Sequence, residues 1–102
     1  MEVPARFRSY PCADYFGSQL LAQGVWSEAE QLWLIVSAED VVERVEDGFL
    51  VIGRPGVDGI EFGYRRDCYG VWAYYPIEAR YELLAADTQA LVDGWFSGTI
   101  KV

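Results

Sequence analysis

Two acids and two aromatic rings are the residues best placed to do chemistry in this chain. Asp58 and Glu61 flank a glycine-bearing turn, and Trp72 and Tyr74 follow on what reads as a neighbouring strand. Paired carboxyls of this kind hydrolyse glycosides when one carries a proton and the other attacks or activates water, which requires them to stand about 5–9 Å apart across a cleft. A two-layer domain of 102 residues leaves little room for such a cleft, so a small carboxylate hydrolase is the minor expectation. The turn itself, Gly53-Arg54-Pro55-Gly56-Val57-Asp58-Gly59, spaces its glycines as a phosphate cradle would. It lacks the G-x-G-x-x-G pattern and a following Lys-Ser or Lys-Thr, and the next element reads as a strand, which has no helix N-terminus to hold an anion. A tight strand-to-strand connection needing positive φ is the expected role.

Other chemistries are closed by composition. There is no histidine, which excludes His-based triads, His general bases and zinc sites that need imidazole. The two cysteines, Cys12 and Cys68, are too few for structural zinc and form no Cys-x-x-Cys pair. Two reduced thiols are expected. No cofactor and no metal is expected.

Eight basic residues against sixteen acidic ones give a net charge of −8. Binding to nucleic acid depends on neutralising phosphates with Lys and Arg, so this balance argues against nucleic acid as a partner, and against an anionic membrane surface too. A basic partner would be attracted instead. The acids are concentrated: residues 27–47 hold Glu28, Glu30, Glu39, Asp40, Glu43, Glu46 and Asp47 against Arg44 alone, a net −6. No apolar run approaches the ~20 residues of a membrane span, and the start of the chain lacks a signal-peptide layout. A cytoplasmic location is therefore expected.

The hydrophobic pattern along the chain is that of an α+β domain. Residues 13–23 place Tyr15, Leu20, Leu21 and Ala22 on a short helix ended by Gly24, with Gly17 a weak point. The continuous apolar run 32–36 reads as a buried strand. Residues 37–47 then read as an amphipathic helix, with Ser37 as N-cap, Val41, Val42 and Val45 inward, and Gly48 as the stop. That helix would turn Glu39, Glu43, Glu46 and Asp47 outward as one acidic face. Residues 49–52, 60–65 and 71–75 read as strands, the last two joined by a hairpin at 67–70, with a further strand at 81–84. On the 71–75 strand, Trp72 and Tyr74 oppose Val71 and Ala73, and can be rim packing or interface anchors. Asp87 caps a closing helix with an apolar stripe of Leu91, Val92, Trp95 and Phe96, ended by Gly98. The expected fold is one α+β domain over residues 1–102: a mostly antiparallel sheet of four to six strands with helices packed on one face.

The run 32–36, the segment Ser37-Ala38-Glu39-Asp40-Val41-Val42, the strand Phe49-Leu50-Val51-Ile52-Gly53 with Gly56 and Gly59, the strands 60–64 and 71–75, and the closing Ala86-Asp87-Thr88-Gln89-Ala90-Leu91 together resemble the SUKH superfamily. Its members include fungal cell-wall-synthesis regulators and bacterial immunity proteins. The match spans residues 31–97. Two departures stand out: only Tyr15-Phe16 answers the family's N-terminal Leu-Pro-x-x-Tyr region, leaving residues 1–30 as a poorly matched helical region, and Val57-Asp58 stands where the family's turn often carries a further glycine. The resemblance implies a binding module with no catalysis of its own, neutralising a toxin by direct contact. The alternative it implies is a regulatory or scaffold adaptor. In either role Glu39, Glu43, Glu46, Asp47, Asp58, Glu61, Trp72 and Tyr74 are the expected partner-binding residues, and a basic toxin domain the expected partner.

Overall fold

The computed structural model describes residues 2–102. Its centre is β4, Phe49–Gly53, in which every residue is buried. The unbroken apolar run dictates this position, because a strand with no polar alternation must be covered on both faces. Around it lie β1 (Val25–Ser27), β2 (Leu32–Ile35), β3 (Val42–Arg44), β5 (Glu61–Arg65), β6 (Val71–Tyr75) and β7 (Arg80–Ala85). The sheet runs β1-β2-β4-β5-β6-β7, with β3 on the same side of β4 as β2, and every pairing is antiparallel. Helices α1 (Ala13–Gly17), α2 (Gln19–Ala22) and α3 (Thr88–Ser97) complete an α+β fold. No helix among the described residues is long and apolar enough to cross a membrane.

The sheet has seven strands where four to six were expected. The two missed ones, β1 and β3, are three residues each, too short for an alternating pattern to declare them. β3 also overturns the expected 37–47 helix. A 3-10 turn over Ala38–Asp40 gives way to extended chain at Val41 and then to β3, which pairs Val42 with Val51 and Arg44 with Phe49. Ser37 caps no amide; its hydroxyl donates to Asp40 Oδ2 at 3.0 Å. The physical reason is twofold. Val41 and Val42 are β-branched and favour extended backbone, and the edge of a fully buried β4 needs hydrogen-bond partners that a helix cannot supply. The change of structure keeps Val41 against the core but redistributes its neighbours. Val42 and Val45, expected inward, are 48% and 63% exposed, while Glu43 accepts a 2.9 Å hydrogen bond from Tyr10.

One core cluster joins Leu50, Ile52, Phe62, Tyr64, Val71, Ala73 and Tyr75 of the sheet to Leu91 and Val92 of α3 and to Phe7, Tyr10, Cys12, Tyr15, Phe16 and Leu21 of the N-terminal segment. The expected 13–23 helix breaks at Ser18, which is extended and caps α2 by accepting the Leu21 amide at 3.2 Å. Leu20 consequently points out, 77% exposed. At α3 the cap is as expected: Asp87 accepts the Ala90 amide at 2.8 Å, and Gly98 closes the helix at φ 81°. Of its stripe, Trp95 packs edge-on against Phe62 but Phe96 stays exposed. In β2, too, Trp33 turns out to solvent against Trp26 rather than inward. Cys12 and Cys68 are free thiols.

Candidate functional site

Paired residues of a ladder share a face, so the register defines what stands opposite the core cluster. Arg44 pairs with Phe49, Phe49 with Arg65, Glu61 with Tyr74, Gly63 with Trp72, Trp72 with Leu83 and Tyr74 with Tyr81. None of these residues belongs to the core cluster. They make a second, outward face of arginines and aromatic rings.

Phe49 is its floor. The ring lies 5.2 Å from Tyr81 and 6.3 Å from Tyr74, centroid to centroid. Gly63 permits this seat: a Cβ there would stand 2.8 Å from the Phe49 ring and 2.3 Å from the Leu50 carbonyl. Two guanidinium groups lie over the rings. Arg65 stands 4.8 Å from the Trp72 centroid and 4.3 Å from that of Tyr81, and Arg44 stands 5.9 Å from Tyr74. Ring quadrupoles attract cations in such positions.

Glu61, only 5% exposed, is the one acid on the face. Its Oε2 meets Arg44 Nη2 at 2.5 Å and Arg54 Nη2 at 3.7 Å. Its Oε1 is buried without a partner. Arg65, by contrast, forms no ion pair among the described residues; the acids that do pair are Glu61, Glu43 and Glu82, with other arginines. The Tyr81 hydroxyl is held above its ordinary value by burial and then by the charge of Asp47, against the opposing pull of Arg65.

The expected site residues divide accordingly. Trp72, Tyr74 and Glu61 share the outward face. Glu46 and Asp47 sit in the 3-10 turn Val45–Asp47 at its border, exposed, and line a cleft of about 270 Å³ with Gly48, Arg65 and Arg66. Glu39 is exposed in the turn at the other end of β3. Glu43 points to the core side, held by Tyr10 and 3.9 Å from Arg66. The single acidic helix face is thus not formed.

Asp58, at φ 53° in the glycine turn, lines a separate cleft with Ile60, Tyr75 and Pro76. Ile60 and Tyr75 belong to the core side of the sheet, so Asp58 and Glu61 open on opposite sides and do not assemble as a carboxylate pair. Gly56 and Gly59 take φ of 85° and 70°, as a tight connection requires. Arg44, Arg65, Phe49 and Tyr81 were not singled out from sequence. The alternation of 60–65 does put Arg65 on the side of Glu61, but Arg44 could be placed only once β3 was known. No family model, no curated protein and no solved structure matches this chain.

Proposed function

We propose that this protein is a non-catalytic binding module that neutralises a toxin domain by direct contact, as its resemblance to the SUKH superfamily implies. The single observation that carries the docking site is the composition of the outward, half-buried sheet face: Trp72, Tyr74 and Tyr81 interleaved with Arg44 and Arg65. Trp, Tyr and Arg are the residues that dominate binding energy at protein interfaces, because they bury large area at small conformational cost while keeping a polar group for register. Exposed Glu39, Glu46 and Asp47 add charge that attracts a basic partner and raises its association rate.

The test begins with capture of the partner on the immobilised protein and its identification by mass spectrometry. Its affinity is then measured for the wild type and for the Trp72→Ala/Tyr74→Ala variant. A loss on the order of 30-fold or more is expected for truncating two anchors, and growth arrest by the partner in bacteria should be relieved by co-expression of the wild type only. Equal binding by the variant would move the docking site elsewhere. A captured partner that leaves growth untouched would replace the toxin-neutralising role by that of an adaptor.

A further inference from the structure

We infer that Arg65 is the receptor for a carboxylate supplied by the docking partner, so that the partner surface combines basic residues with one acid at its centre. This rests on the reading of the sheet face as the docking site. Among the described residues the outward face carries Arg44, Arg54 and Arg65 against Glu61, with Glu46 and Asp47 at its border, on a chain of net charge −8. Arg44 and Arg54 already direct themselves at Glu61. Arg65 does not: it is clamped between Trp72 and Tyr81 and has no ion-pair partner among the described residues, although Glu46, Asp47 and Asp67 line the same cleft. A guanidinium offers N–H donors in a planar fork that matches a carboxylate in two parallel hydrogen bonds. Clamping by two rings orders that fork before binding, which lowers the entropy lost when the carboxylate arrives.

The bordering acids decide which anion fits. Glu46 and Asp47 flank Arg65, and their charge repels a polyanion while attracting Lys or Arg beside the bound acid. A lone carboxylate within a basic segment satisfies both. A single-stranded nucleic acid stacking its bases on Trp72, Tyr74 and Tyr81 is the competing occupant, and the acidic border disfavours it.

Two synthetic peptides, Ac-Lys-Leu-Lys-Glu-Lys-Leu-Lys-NH2 and its Glu-to-Gln counterpart, separate these outcomes in a titration of labelled protein followed by NMR at the Arg65 Nε–H and the Trp72 indole N–H. The Glu peptide is expected to shift both signals and to bind about tenfold tighter than the Gln peptide. Arg65→Gln should erase that difference and leave the weaker Gln-peptide binding in place. Arg65→Lys, which keeps the charge and loses the fork, should erase most of it and serves if Arg65→Gln unfolds. Equal affinities for the two peptides, or shifts that leave Arg65 untouched, overturn the carboxylate receptor while the docking face stands or falls on the captured partner. Stronger binding of a uridine octamer than of the Glu peptide overturns it in favour of nucleic acid.

Discussion

Asp14 accepts the backbone amide of Thr88 at 2.7 Å across 74 positions of sequence, and its other oxygen accepts the Tyr64 hydroxyl at 2.8 Å. Tyr64 and Thr88 are themselves hydrogen-bonded through their side-chain oxygens. One carboxylate thereby satisfies a first-turn amide of α3, which has no intrahelical acceptor, and ties the N-terminal segment to the middle of the sheet.

Replacing Asp14 by Ala leaves the Thr88 amide short of an acceptor, while the buried Tyr64 hydroxyl can still donate to Thr88 Oγ1. A loss of about 1–3 kcal/mol is expected. Urea unfolding checks it, with Asp87→Ala as the comparison, since loss of that ordinary cap should cost only about 1 kcal/mol.

At the outward face, Arg44→Met strands the Glu61 carboxylate in a buried position with only Arg54 at 3.7 Å. Such a stranded charge costs about 3–5 kcal/mol, whereas removing both partners costs much less. Arg44→Met/Glu61→Leu is therefore expected to be more stable than Arg44→Met alone, as a double-mutant cycle by thermal unfolding would read. A double variant less stable than the single would show that the pair itself holds this face together.

Burial pushes the Cys12 thiol up to about 11 from its ordinary 9.0. The folded state thus keeps a proton that the unfolded state releases, so stability is full below pH 9 and declines as pH rises toward 11. Cys12→Ala should flatten that alkaline limb, and iodoacetamide at pH 8 should modify half-buried Cys68 well before Cys12.

Glu30 behaves in the opposite sense. The Ser27 hydroxyl, at 2.5 Å, and the Trp95 indole N–H, at 3.2 Å, both donate to its Oε1, and the Ser27 bond in particular holds the carboxyl below its ordinary value. A carboxylate lowered in this way stabilises the fold above its unfolded value, and the contribution is lost as pH falls through the folded one. The Trp95 indole N–H shift should titrate with a midpoint below the ordinary glutamate range, and Glu30→Gln should abolish that step.

Sequence pattern revealed the parts of the fold whose residues report their own surroundings. The apolar block of β4, the alternation of β6 and the Asp87 and Gly98 boundaries of α3 each follow from local chemistry. The 37–47 segment misleads because its valines fit the inward face of a helix as well as the pleat of a strand, and what chooses between them is the unpaired edge of β4, a partner distant in sequence. The site divides on the same line. Trp72, Tyr74 and Glu61 were legible from period-two spacing, whereas Arg44 joined them only through β3, and Glu43 left for the core side by the same step.

The Asp14–Thr88 bond also bears on how the chain is made. Translation delivers Phe7, Tyr10, Tyr15 and Phe16 well before the α3 residues Leu91 and Val92 that share their core. The antiparallel neighbours β4 through β7 can zip as each hairpin leaves the ribosome, since their pairings are local. The aromatic N-terminal segment cannot complete its packing until α3 has emerged. Until then it is an apolar surface without cover, the kind of segment that chaperones hold, and the core closes only once α3 has been made.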